Sequence, residues 1–332
     1  MSLSIVIVNY KTAQLVIDCI RSIYKFDTSG IEIIVVDNNS NDNIQTLLTL
    51  HFPSIVLIKM NYNAGFARAN NAGIKKASGN TVLLLNSDTI ILDNAVDNAF
   101  HKLAISEYVA CGVQLLNIDG SPQISGNYIM KGGLNYLLPL PYMGVAIKKL
   151  GELLSIKKPN VPNATDTVEV DWINGAFLMV KKVAIDKAGY LDEDFFLYAE
   201  EAEWCSRIKK VGKLCIYGSE KVLHLQGVSA NDAFKSEGQG YTNLFDKKGL
   251  QIMLSNFLRI RKQFGIAWFL FMYLMYVVAV PVFFIFGWVS ILFSGRPKYT
   301  AKDISGYIQN IFSMIEYLPK IISNRPFFYK VI

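Results

Sequence analysis

LSIVIVN, residues Leu3–Asn9, is a run of apolar, mostly β-branched side chains that ends on a single amide. Three similar runs follow it: IEIIVVD (31–37), SIVLIKM (54–60) and TVLLLNSD (81–88). Between the first two, AQLVIDCIRSIYK spaces Leu15, Ile17, Cys19, Ile20 and Ile23 as one face of a helix would. Continuous apolar strands that alternate with helices predict an α/β fold, a mostly parallel sheet flanked by helices on both faces. Three of the runs end in polar residues, Asn9, Asp37 and the Asn86/Asp88 pair. Open α/β sheets bind ligands outside the carboxyl ends of their strands, which is where these groups fall.

Composition divides the 332-residue chain unevenly. Residues 1–246 carry 22 Lys+Arg against 25 Asp+Glu, and residues 247–332 carry 11 against 2, so a near-neutral body precedes a strongly basic tail. The tail calls for an anionic surface. It also holds 33 consecutive uncharged residues, 263–295, which favours membrane lipid over nucleic acid as the partner. Cys19, Cys111, Cys205 and Cys215 form no CxxC pair or metal spacing, so reduced thiols are expected. The start, MSLSIVIVNYKT, has no charged segment before its short apolar run and does not read as a signal peptide, which keeps this part in the cytoplasm. Two domains are expected, 1–245 and 246–332. The stretch 118–168, rich in Gly, Pro and Lys, reads as loops and short helices, and order returns at VEVDWINGAFLMVKK (168–182).

Four groups of residues could carry chemistry. The strand-end groups Asn9, Asp37-Asn38-Asn39-Ser40 and Asn86-Ser87-Asp88 can bind a base, a ribose or a cation near a diphosphate, although such residues also cap helices. NYNAGFARANNAGIKKASGN (61–80) has neither GxGxxG nor GxxxxGK[ST]; it offers a turn at Gly65, a cation at Arg68 and a helix N-terminus able to face phosphate oxygens. In DEDFFLYAEEAEWCSRIKKVGK (192–213), Glu200, Glu201 and Glu203 lie beside aromatic residues, which suits either a general base or an ordinary acidic helix start. On a helix, Glu200 and Glu203 share a face that Glu201 does not. His224, one of three histidines, would return to the sheet edge as a ligand or as a structural residue.

Taken in order, SIVIVNYKT, EIIVVDNNSNDN, NAGFARANNAGI, VLLLNSDT, WINGAFLMVKK, DEDFFLYAEEAEWCSRIKKVGK and VLHLQGVS resemble the inverting family 2 glycosyltransferases of GT-A fold, in the bacterial rhamnosyltransferase-like branch. The resemblance covers about residues 1–230. It implies that Asn9 and Asp37 contact the base and ribose of a nucleotide-sugar. Asn63, Gly65, Arg68 and Asn71 would then form the diphosphate side, with Trp172 also in the donor site. Asn86-Ser87-Asp88 stands in the place of the family's DxD motif with one carboxylate fewer, so a divalent cation (Mg²⁺ or Mn²⁺) would rest on Asp88 and His224. The family's Glu-Asp pair falls on Glu200-Glu201, with Glu201, one methylene longer than the family's Asp, as the catalytic base. The implied reaction moves L-rhamnose from dTDP-rhamnose onto a lipid-linked or growing surface polysaccharide (O-antigen, capsule or cell-wall glycan) at the cytoplasmic face of the bacterial inner membrane. A UDP-hexose donor and a catalytically degenerate membrane-bound scaffold remain the alternatives. A glycosidase is disfavoured because nothing fixes two opposed carboxylates.

As straight helix, 263–295 would extend about 50 Å against a hydrocarbon core of about 30 Å. Pro281 divides it, and Arg259, Arg261 and Lys262 precede it as Arg296, Lys298 and Lys302 follow it. Cations at both ends favour a kinked re-entrant hairpin turning near Pro281, with both ends cytoplasmic.

Overall fold

The computed structural model describes residues 2–26, 28–128, 134–156, 159–225, 231, 234–236, 243–294 and 298–332. Arg296 and residues 226–229 of the VLHLQGVS motif lie outside them. The chain forms two compact units: Met1–Met130 with Pro159–Phe196 and Glu200–Ser229, and Lys131–Lys158 with Leu197–Ala199 and Ala230–Ile332.

The first unit is built on the four apolar runs. They form β1 (Leu3–Asn9), β2 (Ile31–Asp37), β3 (Val56–Lys59) and β4 (Thr81–Asn86), paired in parallel in the order β3-β2-β1-β4. After β5 (Thr89–Ile91) and β6 (Ala110–Leu116), the strand Phe177–Lys181 inserts antiparallel between β4 and β6. Strand Leu214–His224 runs parallel to β6, and its end pairs with β5, Thr89 opposite His224. Two antiparallel steps separate β4 from β6, so His224 ends at the same sheet edge as Asn9, Asp37 and Asn86. The predicted mostly parallel α/β sheet is therefore present, with an antiparallel insertion.

Helix α1 (Ala13–Ile23) buries Ala13, Val16, Ile17, Ile20 and Ile23 against this sheet, an i, i+3, i+4, i+7 stripe in which Val16 takes the place expected of Leu15. All four cysteines are free and buried. VEVDWINGAFLMVKK makes three short strands, Thr167–Val170, Trp172–Ile173 and Phe177–Lys181, and Lys182–Ala188 follows as a helix.

The second unit is helical. Helix Lys247–Phe264 is capped by Asp246, whose carboxylate accepts from Gly249 N at 2.9 Å. Gly265 separates it from Ile266–Phe293, and helix Ala301–Met314 starts in a capping box between Thr300 and Asp303. The re-entrant hairpin is not observed: Ile266–Phe293 is one continuous helix of 28 residues with Pro281 inside it. The proline costs one backbone hydrogen bond, whereas a turn would strip several from an apolar segment. Phe269, Met272, Tyr276, Ala279, Phe283 and Gly287 form its buried stripe, and the helix packs against Lys247–Phe264 and Ala301–Met314. The other face exposes Leu270, Phe271, Leu274, Val278, Phe284 and Ile285. By length and composition this helix could cross a membrane.

Candidate active site

Three clusters form along the carboxyl edge of the sheet in the first unit. The first is centred on Asn9, which is fully buried. Its Nδ2 reaches Asp37 Oδ1 at 3.3 Å, Ser40 Oγ at 3.0 Å and Asp42 Oδ2 at 3.1 Å, and its Oδ1 accepts from Thr12 N at 3.2 Å. The amide is thus spent on the protein, and the half-buried Asp37 is what the cluster orients. Asp37 Oδ1 also accepts from Ser40 N at 3.1 Å. Ser40 and Asp42 act here together, a role that sequence reasoning missed for Asp42.

The second cluster shapes the loop into helix α3 (Gly65–Lys76), the next helix after α2 (Ile44–His51). Asn38 accepts from Ala64 N at 2.8 Å and donates to Asn63 Oδ1 at 3.0 Å, which in turn accepts from Gly65 N at 3.1 Å. Gly65 has φ +73°, and a Cβ there would come within 2.3 Å of Phe196 O. Phe66 N donates to that same carbonyl at 2.8 Å. The first two amides of α3, those of Gly65 and Phe66, therefore serve protein acceptors. Asn71, also buried, clasps Leu191 from both sides, donating to its carbonyl at 2.9 Å and accepting from its amide at 3.0 Å. Arg68 Nε donates to Glu193 O at 2.9 Å. Both residues hold the segment that leads to the glutamates.

The third cluster joins Asn86, Asp88 and His224. Asp88 and His224 are both buried, with Nε2 3.5 Å from Asp88 Oδ1 and 3.4 Å from Asn86 Nδ2. Nδ1 lies 2.9 Å from Gln123 Oε1. The Gln123 amide nitrogen donates to His224 O and to Asn117 Oδ1, each at 2.7 Å, so its oxygen must face the ring. That assigns a proton to Nδ1 and leaves Nε2 beside Asp88 Oδ1 and Asn86 Nδ2. An uncharged imidazole oriented by an outer partner is the form that ligates metals. Asp88 and His224 thus fit a cation that takes its remaining ligands from elsewhere. Among the described residues no group of three His, Cys, Asp or Glu forms such a site.

The three glutamates separate by surroundings. Helix Glu200–Ile208 follows Tyr198 and Ala199, whose φ of 73° and 66° mark a strained approach. Glu203 is bridged by Arg207, Nη2 to Oε2 at 2.7 Å, so it is structural. Glu200 is buried with Oε2 lacking a hydrogen-bond partner; burial first, then the charge of Glu201, push its carboxyl well above the usual range. Glu201 is half-buried and lies against Gly175 of WINGA. Trp172, two residues before Asn174, is half-buried with an indole N–H that meets no acceptor.

A parallel sheet with its polar groups on the carboxyl edge and an antiparallel insertion is the GT-A architecture. Solved structures agree: GalNAc-T7 with UDP, GalNAc and Mn²⁺ aligns with TM-score 0.52 at 14% identity over 79% of this chain and 50% of that one. Staphylococcus aureus TarS 1-349 in complex with UDP-GlcNAc gives 0.53 at 12% identity over 98% and 83%. Residues 4–158 match the family model described as Glycosyl transferase family 2. The low-salt glycan biosynthesis hexosyltransferase Agl10 of Haloferax volcanii is 27% identical over 213 residues, 63% of this chain and 62% of that protein. The poly-beta-1,6-N-acetyl-D-glucosamine synthase of Staphylococcus epidermidis is 24% identical over 204 residues, 61% and 45%. The chain spans less than two thirds of the length of these relatives.

Proposed function

We propose that this protein transfers a hexosyl residue, with inversion, from a nucleoside-diphosphate sugar to a lipid-linked or growing surface polysaccharide. The observation that carries the reading is the separation of the glutamates: Glu203 is bridged by Arg207, burial and then the charge of Glu201 push the Glu200 carboxyl up, and the half-buried Glu201 lies against Gly175. An inverting transfer needs one base rather than two opposed carboxylates. Glu201 takes the proton of the acceptor hydroxyl as that oxygen bonds to the anomeric carbon, and the bond to the donor's phosphate oxygen breaks with its electron pair leaving on the diphosphate. Asp37, held by Asn9 and Ser40, binds the nucleoside, and the Trp172 N–H supplies a donor toward the nucleotide-sugar. Asp88 and His224 Nε2 would hold a divalent cation, whose charge offsets that of the leaving diphosphate.

The resemblance to the rhamnosyltransferase-like branch favours L-rhamnose from dTDP-rhamnose as the donor. A UDP-hexose is the second reading, favoured by the hexosyltransferase and N-acetylglucosamine names of the relatives and by the UDP-sugar complexes among the solved structures. The apolar helix Ile266–Phe293 and the basic tail support a seat at the cytoplasmic face of the bacterial inner membrane.

The test is nucleotide release by the detergent-purified full chain from a panel of dTDP- and UDP-sugars with Mg²⁺ or Mn²⁺, beside Glu201→Gln. Metal-dependent release from one donor, lost in the variant, supports the reading and names the sugar. Silence across the panel, with lipid-linked acceptor present, turns the reading to a scaffold.

A further inference from the structure

Helix Lys247–Phe264 ends in three cations, Arg259, Arg261 and Lys262, and the first two are treated differently by the fold. Arg261 lays its guanidinium on the carbonyl of Ile322, with Nη2 at 3.0 Å. Arg259 is only 3% exposed. Its Nε donates to Gln263 Oε1 at 2.9 Å, and its Cζ lies 5.5 Å from the ring centroid of Tyr136. Its Nη2 is buried with no hydrogen-bond partner. No carboxylate forms an ion pair with it among the described residues.

A buried guanidinium without a counter-charge is expensive, because desolvating the ion costs several kcal/mol that only an anion or full hydrogen bonding returns. A Met or Leu would fill the same helix position without that cost. The planar fork of donors matches two oxygens of a phosphate, and such paired contacts are the strong ones. Tyr136 adds a second donor: burial raises its phenol above the ordinary range, while the charge of Arg259 and a hydrogen bond from its side chain pull the other way.

What surrounds the seat narrows the source of the anion. Tyr136 is tied to the apolar helix, its carbonyl accepting from Tyr276 Oη at 2.9 Å. That helix exposes Leu270, Phe271, Leu274 and Val278 on its outer face, so a phosphate at Arg259 has hydrocarbon-binding surface on the element that anchors Tyr136. One turn before Arg259, Ser255 Oγ donates to Leu197 O at 2.7 Å.

We propose that Arg259 and Tyr136 form a seat for the phosphate of a lipid, the one that carries the acceptor. The proposal rests on the reading of a lipid-linked acceptor, but its test reads binding and stability and needs no sugar transfer.

The experiment uses the full chain in neutral detergent. Binding to phosphatidylcholine vesicles with and without phosphatidic acid is measured for the wild type, Arg259→Met and Arg259→Lys. Thermal unfolding is followed in parallel with inorganic diphosphate as the soluble probe. The expected result is a preference of the wild type for phosphatidic acid that falls about tenfold or more in Arg259→Met and partly in Arg259→Lys. The Met variant unfolds at or above the wild-type temperature in phosphate-free buffer, because the unpaired charge is gone. Equal binding by all three proteins overturns the seat. Protection by inorganic diphosphate as strong as that by the lipid overturns the lipid as the source. If Arg259→Met does not fold, Arg259→Lys decides: it keeps the charge and loses the fork, and unchanged phosphatidic acid binding then overturns the proposal.

Discussion

Gln123 accepts the Nδ1 proton of His224 at 2.9 Å while its own amide nitrogen holds the His224 carbonyl, so one side chain grips the ring and the backbone of the same residue. The arrangement turns Nε2 toward Asp88 and Asn86. Replacing Gln123 with Leu frees the ring to adopt the other tautomer and orientation. The expected effect is about a 10- to 100-fold loss of Mn²⁺ affinity, the usual range for an outer-shell partner. Mn²⁺ titration followed by electron paramagnetic resonance, with nucleoside diphosphate present, checks this. An affinity equal to that of the wild type removes Gln123 from the site.

For Glu201→Gln, the reaction and the binding of donor should part company. The neutral amide keeps the size of the side chain and cannot take a proton. Transfer is expected to fall by about 10²- to 10⁴-fold. Donor affinity by calorimetry should stay within about a factor of two, because the base touches the acceptor hydroxyl. A matched loss of donor affinity would assign Glu201 to the donor instead.

Much of the frame was legible in the sequence, because continuous apolar strands and the helical stripe between them have few other ways to be buried. The polar strand ends at Asn9, Asp37 and Asn86 fall together at one sheet edge for the same reason. What stayed illegible was the division of labour within that edge. The amides of Asn9 and Asn71 bond to Asp37, Ser40 and Leu191, partners that no pattern in the sequence announces. Gln123 carries no signal at all, since its value depends on His224, about a hundred residues away in the chain. The hairpin expected at Pro281 failed because a proline marks a lost hydrogen bond and does not by itself dictate a turn.

Glu200 gives the site a pH signature. Its carboxyl is raised in the folded protein by burial and by the charge of Glu201, from an ordinary value of 4.5. As pH rises above that value the unfolded chain releases this proton while the folded chain keeps it. The unfolded state then binds fewer protons, so this residue lowers stability progressively with rising pH until the folded carboxyl also ionises. Glu200→Gln removes the effect. Denaturant midpoints measured from pH 5 to 8 should show the variant gaining on the wild type as pH rises; parallel curves would mean that Glu200 is ionised in the fold.

Gly65 joins the strand edge to the segment that carries the glutamates. With φ +73° and Phe196 O 2.3 Å from where a Cβ would stand, Gly65→Ala meets two penalties at once. The left-handed backbone alone costs about 1–2 kcal/mol. The clash adds to it, because the obstructing atom is a backbone carbonyl that also accepts from Phe66 N and cannot swing away. A total of about 2–4 kcal/mol is expected. Gly120 provides the control: its φ is +79° and nothing lies within 4 Å of its missing Cβ, so Gly120→Ala should show the conformational part alone. Thermal or urea unfolding of the two variants separates the terms. Equal destabilisation would mean that the contact with Phe196 is loose and that α3 does not hold the approach to Glu200.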